Sequence, residues 1–278
     1  MASFAPDPLL GQVLGGHQVQ STVASGNMGR IYRGVPVGGG PPVAVKVLMP
    51  DLARDAELVE RFHREFENGS RIVHPNVVEL YECGTTPAGV HYQLLELLDG
   101  KPLDALVEQA PLPLARTAHL GAQIAAGLQA AHRLGIVHRD LKPENVMVLD
   151  GDVVKVFDFG LAQAKGPTQP TLTATDVRIG TPMFMAPEYI ATGEIDHRAD
   201  LYALGVALFE LATGDDPFHG PPFKILHLHV TADAPKLREV APDADPALEA
   251  LVAALLEKEP ADRPQTAAEV EARLLALR

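Results

Sequence analysis

Short apolar segments rich in β-branched residues recur through about the first hundred positions, and turn-forming residues separate them. Segments of this length and composition predict buried strands. Residues 51–71 instead place Val59, Phe62 and Phe66 among charged residues, which indicates an amphipathic helix. The predicted strands cover residues 29–35, 43–49, 77–82 and 91–97. The pattern therefore predicts a small, strand-rich part with one main helix.

The apolar pattern becomes helical after residue 97. Long runs of Ala and Leu with few charges are typical of helices that are buried on several sides. Two short β-like segments, 146–149 and 153–157, flank an Asp-Gly-Asp turn and predict a hairpin. The predicted helices cover residues 113–134, residues 200–213 and two segments of 246–277 that Pro260 and Pro264 separate. This second part is predicted to be larger and mainly helical.

Composition narrows the class of protein. Hydrophobic residues make up 46% of the 278 positions, which suits a globular chain. A net charge of −13 argues against nucleic acid and anionic membranes as partners, because both would repel the chain. The one cysteine, Cys83, excludes an internal disulfide and a four-cysteine zinc site. Neither a signal peptide nor a membrane-spanning run is evident, so we expect a cytoplasmic protein.

The candidate chemistry is concentrated in two motifs. Residues 138–145 have the sequence HRDLKPEN and follow the predicted apolar helix. The triplet Asp-Phe-Gly at 158–160 begins thirteen residues after Asn145 and follows a predicted strand. An Asp beside an Arg is by itself typical of solvated surface. The two motifs together, in this order and at this distance, indicate a functional site instead.

On these motifs the chain resembles the eukaryotic-like Ser/Thr protein kinases of bacteria. Residues 180–188 (GTPMFMAPE) resemble the end of a kinase activation loop, and residues 200–205 the start of the central helix of the large lobe. Arg263 resembles the arginine that pairs with Glu188. The resemblance implies an α+β, bilobal protein kinase fold in a single domain over residues 1–278. The β-rich N-lobe would cover about 12–97 and the helical C-lobe about 100–277.

The resemblance also assigns the phosphoryl-transfer groups. Asp140 would accept the proton of the substrate hydroxyl, and Lys142 would offset charge on the γ-phosphate. Thr181 would hydrogen-bond both of them. Asn145 and Asp158 would supply the hard oxygen ligands that Mg²⁺ prefers, with Mn²⁺ as the alternative ion. The implied cofactors are ATP and Mg²⁺, and the implied partners are protein substrates together with a regulatory protein or a second copy of the chain.

In the small lobe, Lys46 would pair with Glu65 and contact the α- and β-phosphates. A lysine in an apolar strand needs such a partner, because burying an unpaired ammonium is costly. Ala24 replaces the first glycine of the phosphate-covering loop, so we expect weaker nucleotide affinity. The loop residues expected to bind nucleotide are Val23, Ala24, Gly26, Gly29 and Ile31. Those expected around the adenine are Ala44, Glu96, Leu98 and Met147.

Two further features concern regulation. Gly69 lies one turn beyond Glu65, where relatives carry an apolar side chain, so we expect a packing gap that weakens the active position of the helix. Arg139 precedes Asp140 and would bind a phosphate on the activation loop. Thr173 and Thr175 are the candidate autophosphorylation sites, although threonine is also common in ordinary flexible loops.

These residues are compatible with three functions. The predicted function is an ATP-dependent protein kinase that transfers the γ-phosphate to Ser or Thr hydroxyls of proteins. A pseudokinase scaffold is the first alternative, supported by Ala24 and Gly69. A small-molecule kinase is the second, although residues 180–188 resemble a peptide-docking segment that such kinases generally lack. The full set of groups for Mg·ATP chemistry favours the active protein kinase.

Overall fold

A computed structural model describes residues 7–26, 28–108, 111–159 and 182–277. The chain divides into two compact units. The first unit contains the residues up to 71 together with 78–99, and the second contains 72–77 and the residues from 100 onward.

The first unit is built on a six-stranded antiparallel sheet with the strand order β1-β2-β3-β4-β6-β5. Its apolar side chains, among them Val45, Tyr32 and Leu94, form a core on one side of the sheet. Five of the six residues of β4 are buried, as expected for a short β-branched segment in the middle of a sheet. The strands are β1 (Val13–Leu14), β2 (His17–Ser25), β3 (Gly29–Pro36), β4 (Val43–Leu48), β5 (Leu80–Thr85) and β6 (His91–Glu96).

The strand predicted at 77–82 is displaced in the structure. β5 begins at Leu80 and ends at Thr85. Val77 and Val78 are apolar for another reason, because both are buried outside the sheet of the first unit. Val77 makes an isolated β-bridge to Val156 in the second unit. The apolar pattern thus marked burial correctly but assigned it to the wrong element.

The predicted helix at 51–71 is confirmed as α1 (Ala56–Gly69). Asp55 caps it by accepting hydrogen bonds from the backbone N–H groups of Glu57 and Leu58, which sets the start of the helix. Phe62, Glu65 and Gly69 form its buried face at spacings of three and four residues. The carbonyl of Phe62 accepts a hydrogen bond of 2.7 Å from the side chain of Gln93, which joins α1 to β6.

The packing gap expected at Gly69 is not present. The side chain of Leu80 fills it, since a Cβ atom at Gly69 would lie 2.6 Å from the Leu80 Cδ1. A side chain added at Gly69 would therefore have to displace the end of the Leu80 side chain. The expectation was wrong because it considered only the absent side chain of Gly69. It could not include Leu80, the neighbouring residue whose side chain occupies that space.

The second unit is mainly helical around two long buried helices, α3 and α5. Every residue of α5 from Ala199 to Ala212 is buried, which makes it the central helix of this unit. A three-stranded antiparallel sheet of β7 (Gly100–Pro102), β8 (Val146–Leu149) and β9 (Val153–Val156) completes the unit. The helices are α2 (Asp104–Val107), α3 (Leu114–His132), α4 (Pro187–Thr192), α5 (Arg198–Thr213), α6 (Pro222–Thr231), α7 (Leu237–Val240), α8 (Pro246–Leu255) and α9 (Ala267–Leu275).

The predicted second-part elements are confirmed. Helices occupy the predicted segments 113–134 and 200–213, and a break around Pro260 separates α8 from α9. The hairpin of β8 and β9 turns at Asp150-Gly151-Asp152, where Gly151 and Asp152 have positive φ angles of 77° and 57°. Within the described ranges, no helix combines the length and the apolar character that crossing a bilayer needs.

Candidate active site

The two sequence motifs of the second unit are joined by backbone hydrogen bonds. The 138–145 loop lies between α3 and β8, and it ends in a 3₁₀ turn, Pro143–Asn145. The backbone N–H of Asn145 donates to the Lys142 carbonyl at 2.9 Å. The Asn145 carbonyl in turn accepts from the N–H of Phe157 at 3.0 Å. The strand that precedes the second motif is thereby fixed to the end of the first.

Three of the predicted site residues meet on the 138–145 loop. The Lys142 Nζ is 3.2 Å from the Oδ2 of Asp140. The side-chain nitrogen of Asn145 donates to the Asp140 carbonyl at 2.8 Å and lies 3.4 Å from the Asp140 carboxylate. Since the protein uses the amide nitrogen, the group that Asn145 would offer to a cation is its amide oxygen.

Backbone strain coincides with both motifs. Arg139 and Asp158 have positive φ angles of 71° and 63°. Residues other than glycine rarely adopt such angles. Each such residue costs on the order of 1–3 kcal/mol and persists only where the surroundings impose it. The His138 ring contributes to that constraint, because its Nε2 is 2.9 Å from the Phe157 carbonyl and its centroid 4.7 Å from that of Phe159.

A buried carboxylate that the sequence did not assign, Asp200, holds the start of the loop. Asp200 is on the first turn of α5, and it accepts hydrogen bonds from the backbone N–H groups of His138 (2.8 Å) and Arg139 (2.9 Å). The Nε2 of His132 is 2.7 Å from the same side chain. Burial raises the pKa of Asp200, but the hydrogen bond and charge of His132 and the contact with His138 outweigh it, so the net pKa is lowered. One signal could have revealed this role, namely a carboxylate on the first turn of a mostly apolar helix.

The pairing expected between Arg263 and Glu188 is confirmed. The two Nη atoms of Arg263 donate to the two carboxylate oxygens of Glu188 at 2.8 and 2.7 Å. The Arg263 side chain has no exposed surface, and it also donates to the carbonyls of Glu257, Lys258 and Arg198. This bidentate contact fixes the start of α4 to the segment after α8.

The ion pair expected in the first unit is also present. The Lys46 Nζ on β4 is 2.6 Å from the Oε1 of Glu65 on α1. The two side chains are only 12% and 6% exposed, so water screens the pair weakly. Lys46 stands opposite Ile31 on β3 and Gln93 on β6, in the middle of the sheet.

The predicted phosphate-covering loop is the connection between β2 and β3. The N–H of Gly26 donates to the Gly29 carbonyl at 2.9 Å, and Ala24 pairs with Ile31 across the two strands. Gly29 is needed for packing, because a Cβ there would clash with the Val47 carbonyl. At Gly26 the nearest atom of the described residues to an added Cβ is the Gly29 carbonyl oxygen, 3.9 Å away, so packing against them does not require glycine. Val23, which is 52% exposed, lies at an irregularity in the strand pairing.

The residues expected around an adenine are distributed over both units. Ala44 is buried on β4, and Leu98 is half-buried just after β6. Glu96 donates its N–H to the Glu79 carbonyl at 2.9 Å, so the backbone group it would offer to a ligand is its own carbonyl. Met147 is half-buried on β8 of the second unit. Thr181, Gly160 and the candidate phosphorylation sites Thr173 and Thr175 lie outside the described residues.

Comparison with protein families gives a match over most of the chain. The family model described as the protein kinase domain matches residues 17–274. This chain belongs to the protein kinase domain family. The α+β protein kinase fold class predicted from the sequence is confirmed, with a β-rich first unit and a helical second unit.

Known bacterial kinases are similar along almost the whole chain. The chain is 36% identical to serine/threonine-protein kinase pkn3 of Myxococcus xanthus over 94% of its length, and 40% identical to serine/threonine-protein kinase PknB of Mycobacterium tuberculosis over 84%. It spans 50% and 38% of those two proteins. The crystal structure of the Mycobacterium tuberculosis PknI kinase domain superposes with a TM-score of 0.73, at 28% identity over 97% of this chain and 99% of that domain.

Proposed function

We propose that this chain is an ATP-dependent protein kinase that transfers the γ-phosphate of ATP to Ser or Thr hydroxyls of proteins. One observation carries the proposal: Asp140, Lys142 and Asn145 converge on a loop that Asp200 anchors through backbone hydrogen bonds. The kinase relatives named above are serine/threonine-protein kinases, which supports the same acceptor class.

The donor set suits a magnesium ion. The Asn145 amide oxygen and the Asp158 carboxylate are hard oxygen ligands, and Mg²⁺ prefers such ligands together with phosphate oxygens. Mn²⁺, which also accepts oxygen ligands, is the alternative ion. A bound metal would supply charge neutralisation on the ATP phosphates. The strained backbone of Asp158, with its φ of 63°, is consistent with a side chain held in place for such a role.

The remaining roles follow from charge and distance. Asp140 would accept the proton of the acceptor hydroxyl, while the Lys142 ammonium, 3.2 Å from Asp140, would offset negative charge on the transferring group. Thr181 would hydrogen-bond both of these side chains. Lys46 would contact the α- and β-phosphates, and Glu65 would orient its ammonium.

The loop between β2 and β3 would cover the phosphates. Gly26 supports this role, because among the described residues no atom would come closer than 3.9 Å to a Cβ added there. A ligand that approaches the backbone closely would explain the glycine. Val23, Ala24, Gly29 and Ile31 would form the rest of the loop surface. Ala44, Met147, the Glu96 carbonyl and the Leu98 N–H would bind the adenine.

The wider assignments are proposals of the same kind. We treat residues 1–278 as one kinase domain, with an N-lobe of about 12–97 and a C-lobe of about 100–277. The chain would act in the cytoplasm on protein substrates, under control of a regulatory protein or a second copy. Autophosphorylation at Thr173 or Thr175 would provide the anion for Arg139. A pseudokinase would explain Ala24, but Lys46, Glu65, Asp140, Asn145 and Asp158 are all retained.

The test is phosphotransfer from labelled Mg·ATP, followed by mass spectrometry of the peptide 164–178. Asp140→Asn keeps the shape of the side chain and removes the proton acceptor, so label incorporation should fall by roughly 10²–10⁴-fold. Asp150→Asn, in the exposed turn between β8 and β9, is the matched control and should leave incorporation unchanged. Equal labelling of wild type and Asp140→Asn would refute the proposed role, and nucleotide binding without labelling would favour the pseudokinase.

A further inference from the structure

One cluster of titratable side chains in the first unit has no part in the proposed phosphotransfer. His63 on α1 lies between Cys83 on β5 and His91 on β6. The Nδ1 of His63 is 3.2 Å from the Cys83 Sγ, and its Nε2 is 3.3 Å from the Nδ1 of His91. The Thr85 hydroxyl is 2.9 Å from the same His91 nitrogen. The cluster therefore joins one helix to two strands.

The cysteine sets the direction of these hydrogen bonds. Burial, followed by the charges of Glu65, Glu67 and Glu82, raises the pKa of Cys83 to about 11, so the sulfur keeps its proton at neutral pH. We assign the thiol as the donor to the Nδ1 of His63, which leaves Nε2 of His63 as the donor towards His91.

The second histidine completes the sequence of donors and acceptors. With this assignment the Nε2–H of His63 donates to the Nδ1 of His91, 3.3 Å away, and the same Nδ1 accepts from the Thr85 hydroxyl. Nδ1 of His91 can accept only while that ring is neutral. Because His63 directs opposite ring nitrogens at Cys83 and His91, a single metal ion could not take all three.

We propose that Cys83, His63 and His91 form an acid-sensitive latch that holds α1 against β5 and β6. Protonation of His91 places a hydrogen on Nδ1, which then faces two donors, so the contact with His63 breaks. His63 is two positions before Glu65 on the same helix, and release of the latch would free the partner of Lys46. Loss of phosphotransfer in acid rests on the proposed function, whereas opening of the latch does not.

The sign of the effect follows from the surroundings. Burial, and then the proximity of His63, lowers the pKa of His91 below its ordinary value. A depressed pKa means that the folded state favours the neutral ring, so the stabilisation is present above about pH 6.5 and is lost as the pH falls. The charged groups nearby are Glu65 and Glu67 on α1 and Glu82 on β5, while Arg64 pairs with Glu60 on the exposed face of α1.

The cysteine is also the probe, because it is the only one in the chain. We would measure its reaction with 4,4′-dithiodipyridine from about pH 7.5 to about pH 5.5, relative to free glutathione at each pH. The relative rate in the wild type should rise several-fold as the pH falls, because protonation of His91 opens the latch and exposes the thiol. His91→Asn places an amide oxygen near the Nδ1 position and does not titrate, so its relative rate should stay constant. His227→Asn, an exposed histidine of the second unit, should behave like the wild type.

Equal pH dependence in the wild type and His91→Asn would overturn the latch. If the variant does not fold, nitrogen-detected NMR of the wild type decides alone: His63 should carry its proton on Nε2 at neutral pH, and a charged His63 ring there would overturn the proposal. Phosphotransfer is measured in the same buffers. If the Cys83 reaction rate depends on pH as expected but no phosphotransfer occurs, only the kinase proposal is refuted. If phosphotransfer occurs but the Cys83 reaction rate does not change with pH, only the latch is refuted.

Discussion

The 138–145 loop of the second unit and helix α1 of the first unit are held by different kinds of contact. Asp200 binds the loop through the backbone N–H groups of His138 and Arg139. These contacts fix the path of the main chain independently of the side chains of the loop. Helix α1 is positioned mainly by the packing of Leu80 against Gly69 and by the Lys46–Glu65 pair, with one hydrogen bond to its main chain, from the Gln93 side chain to the Phe62 carbonyl.

This difference suggests which part of the molecule can be adjusted. A backbone anchored on a fully buried carboxylate changes position only at a large cost, because its N–H groups would lose their acceptor. Side-chain contacts can change rotamer or protonation state at a cost of about 1–3 kcal/mol. We therefore expect substitutions at the loop anchor to lower the stability of the second unit strongly, and substitutions around α1 to alter activity at a smaller cost in stability.

The largest effect is expected from Asp200→Ala. Removing this carboxylate leaves two backbone N–H groups and His132 without their acceptor, which should cost about 3–5 kcal/mol. The unfolding temperature should fall by roughly 10 °C, as measured by differential scanning calorimetry. Asp215→Ala is the control, because its pair with His219 is exposed and should contribute less than about 1 kcal/mol. Similar losses from both variants would contradict the anchoring role.

A smaller loss of stability with a clear loss of activity is expected from Glu65→Gln. The change removes the charge that orients Lys46 while α1 keeps its other contacts. Phosphotransfer should fall at least tenfold, about 1.4 kcal/mol in transition-state stabilisation, and the unfolding temperature should fall less than in Asp200→Ala. Glu60→Gln breaks the exposed pair with Arg64 on the same helix and should change neither quantity. If Glu65→Gln lost as much stability as Asp200→Ala, the proposed difference between helix α1 and the 138–145 loop would be contradicted.

The packing of α1 on β5 can be tested with a size exchange. Gly69→Leu alone should destabilise the first unit by about 1–3 kcal/mol, because the Leu80 side chain occupies the space. The double variant Gly69→Leu, Leu80→Ala moves the apolar volume from β5 to α1 and should recover part of that loss. Urea unfolding monitored by circular dichroism measures both. No recovery in the double variant would show that the glycine serves another purpose.

The smallest effect on stability is expected at the phosphate-covering loop. Gly26→Ala should leave the free energy of unfolding within about 0.5 kcal/mol of the wild type, since the added methyl group would meet the Gly29 carbonyl oxygen only at 3.9 Å. It should raise the KM for ATP, because the methyl group would face the proposed nucleotide. Gly29→Ala should instead lower stability, because the methyl group would meet the Val47 carbonyl. Steady-state kinetics and thermal unfolding separate the two cases. An unchanged KM in Gly26→Ala would remove the argument for ligand contact there.

Much of this architecture could be predicted from the sequence. Long periodic segments such as the one that forms α5, and the Asp-Gly-Asp turn between β8 and β9, carry their structure in local pattern. The two motifs fixed the elements that bear Asp140, Asn145 and Asp158. The pairing of Lys46 with Glu65 and of Arg263 with Glu188 came from the family resemblance, since nothing local in the sequence joins residues so far apart.

The errors and omissions have a common physical origin. Val77 and Val78 are apolar because tertiary contacts bury them. In the sequence, an apolar run buried in this way looks the same as a run that forms a buried strand. Leu80 filling the space at Gly69, and Asp200 accepting from the 138–145 loop, depend on which segments meet in three dimensions. The local sequence pattern shows the chemical character of each residue, but not which distant residue it contacts in the folded protein.

The contact between Arg263 and Glu188 also has a consequence for synthesis. The two residues are 75 positions apart, and the guanidinium has no exposed surface once the pair forms. A ribosome adds roughly 5–20 residues each second, so roughly 4–15 s separate the appearance of the carboxylate from that of its partner. During this interval the nascent chain carries an acidic group destined for burial without its counter-ion. We expect the second unit to finish folding only after Arg263 has left the exit tunnel, and ribosome-bound chains stalled before it to remain open to proteases.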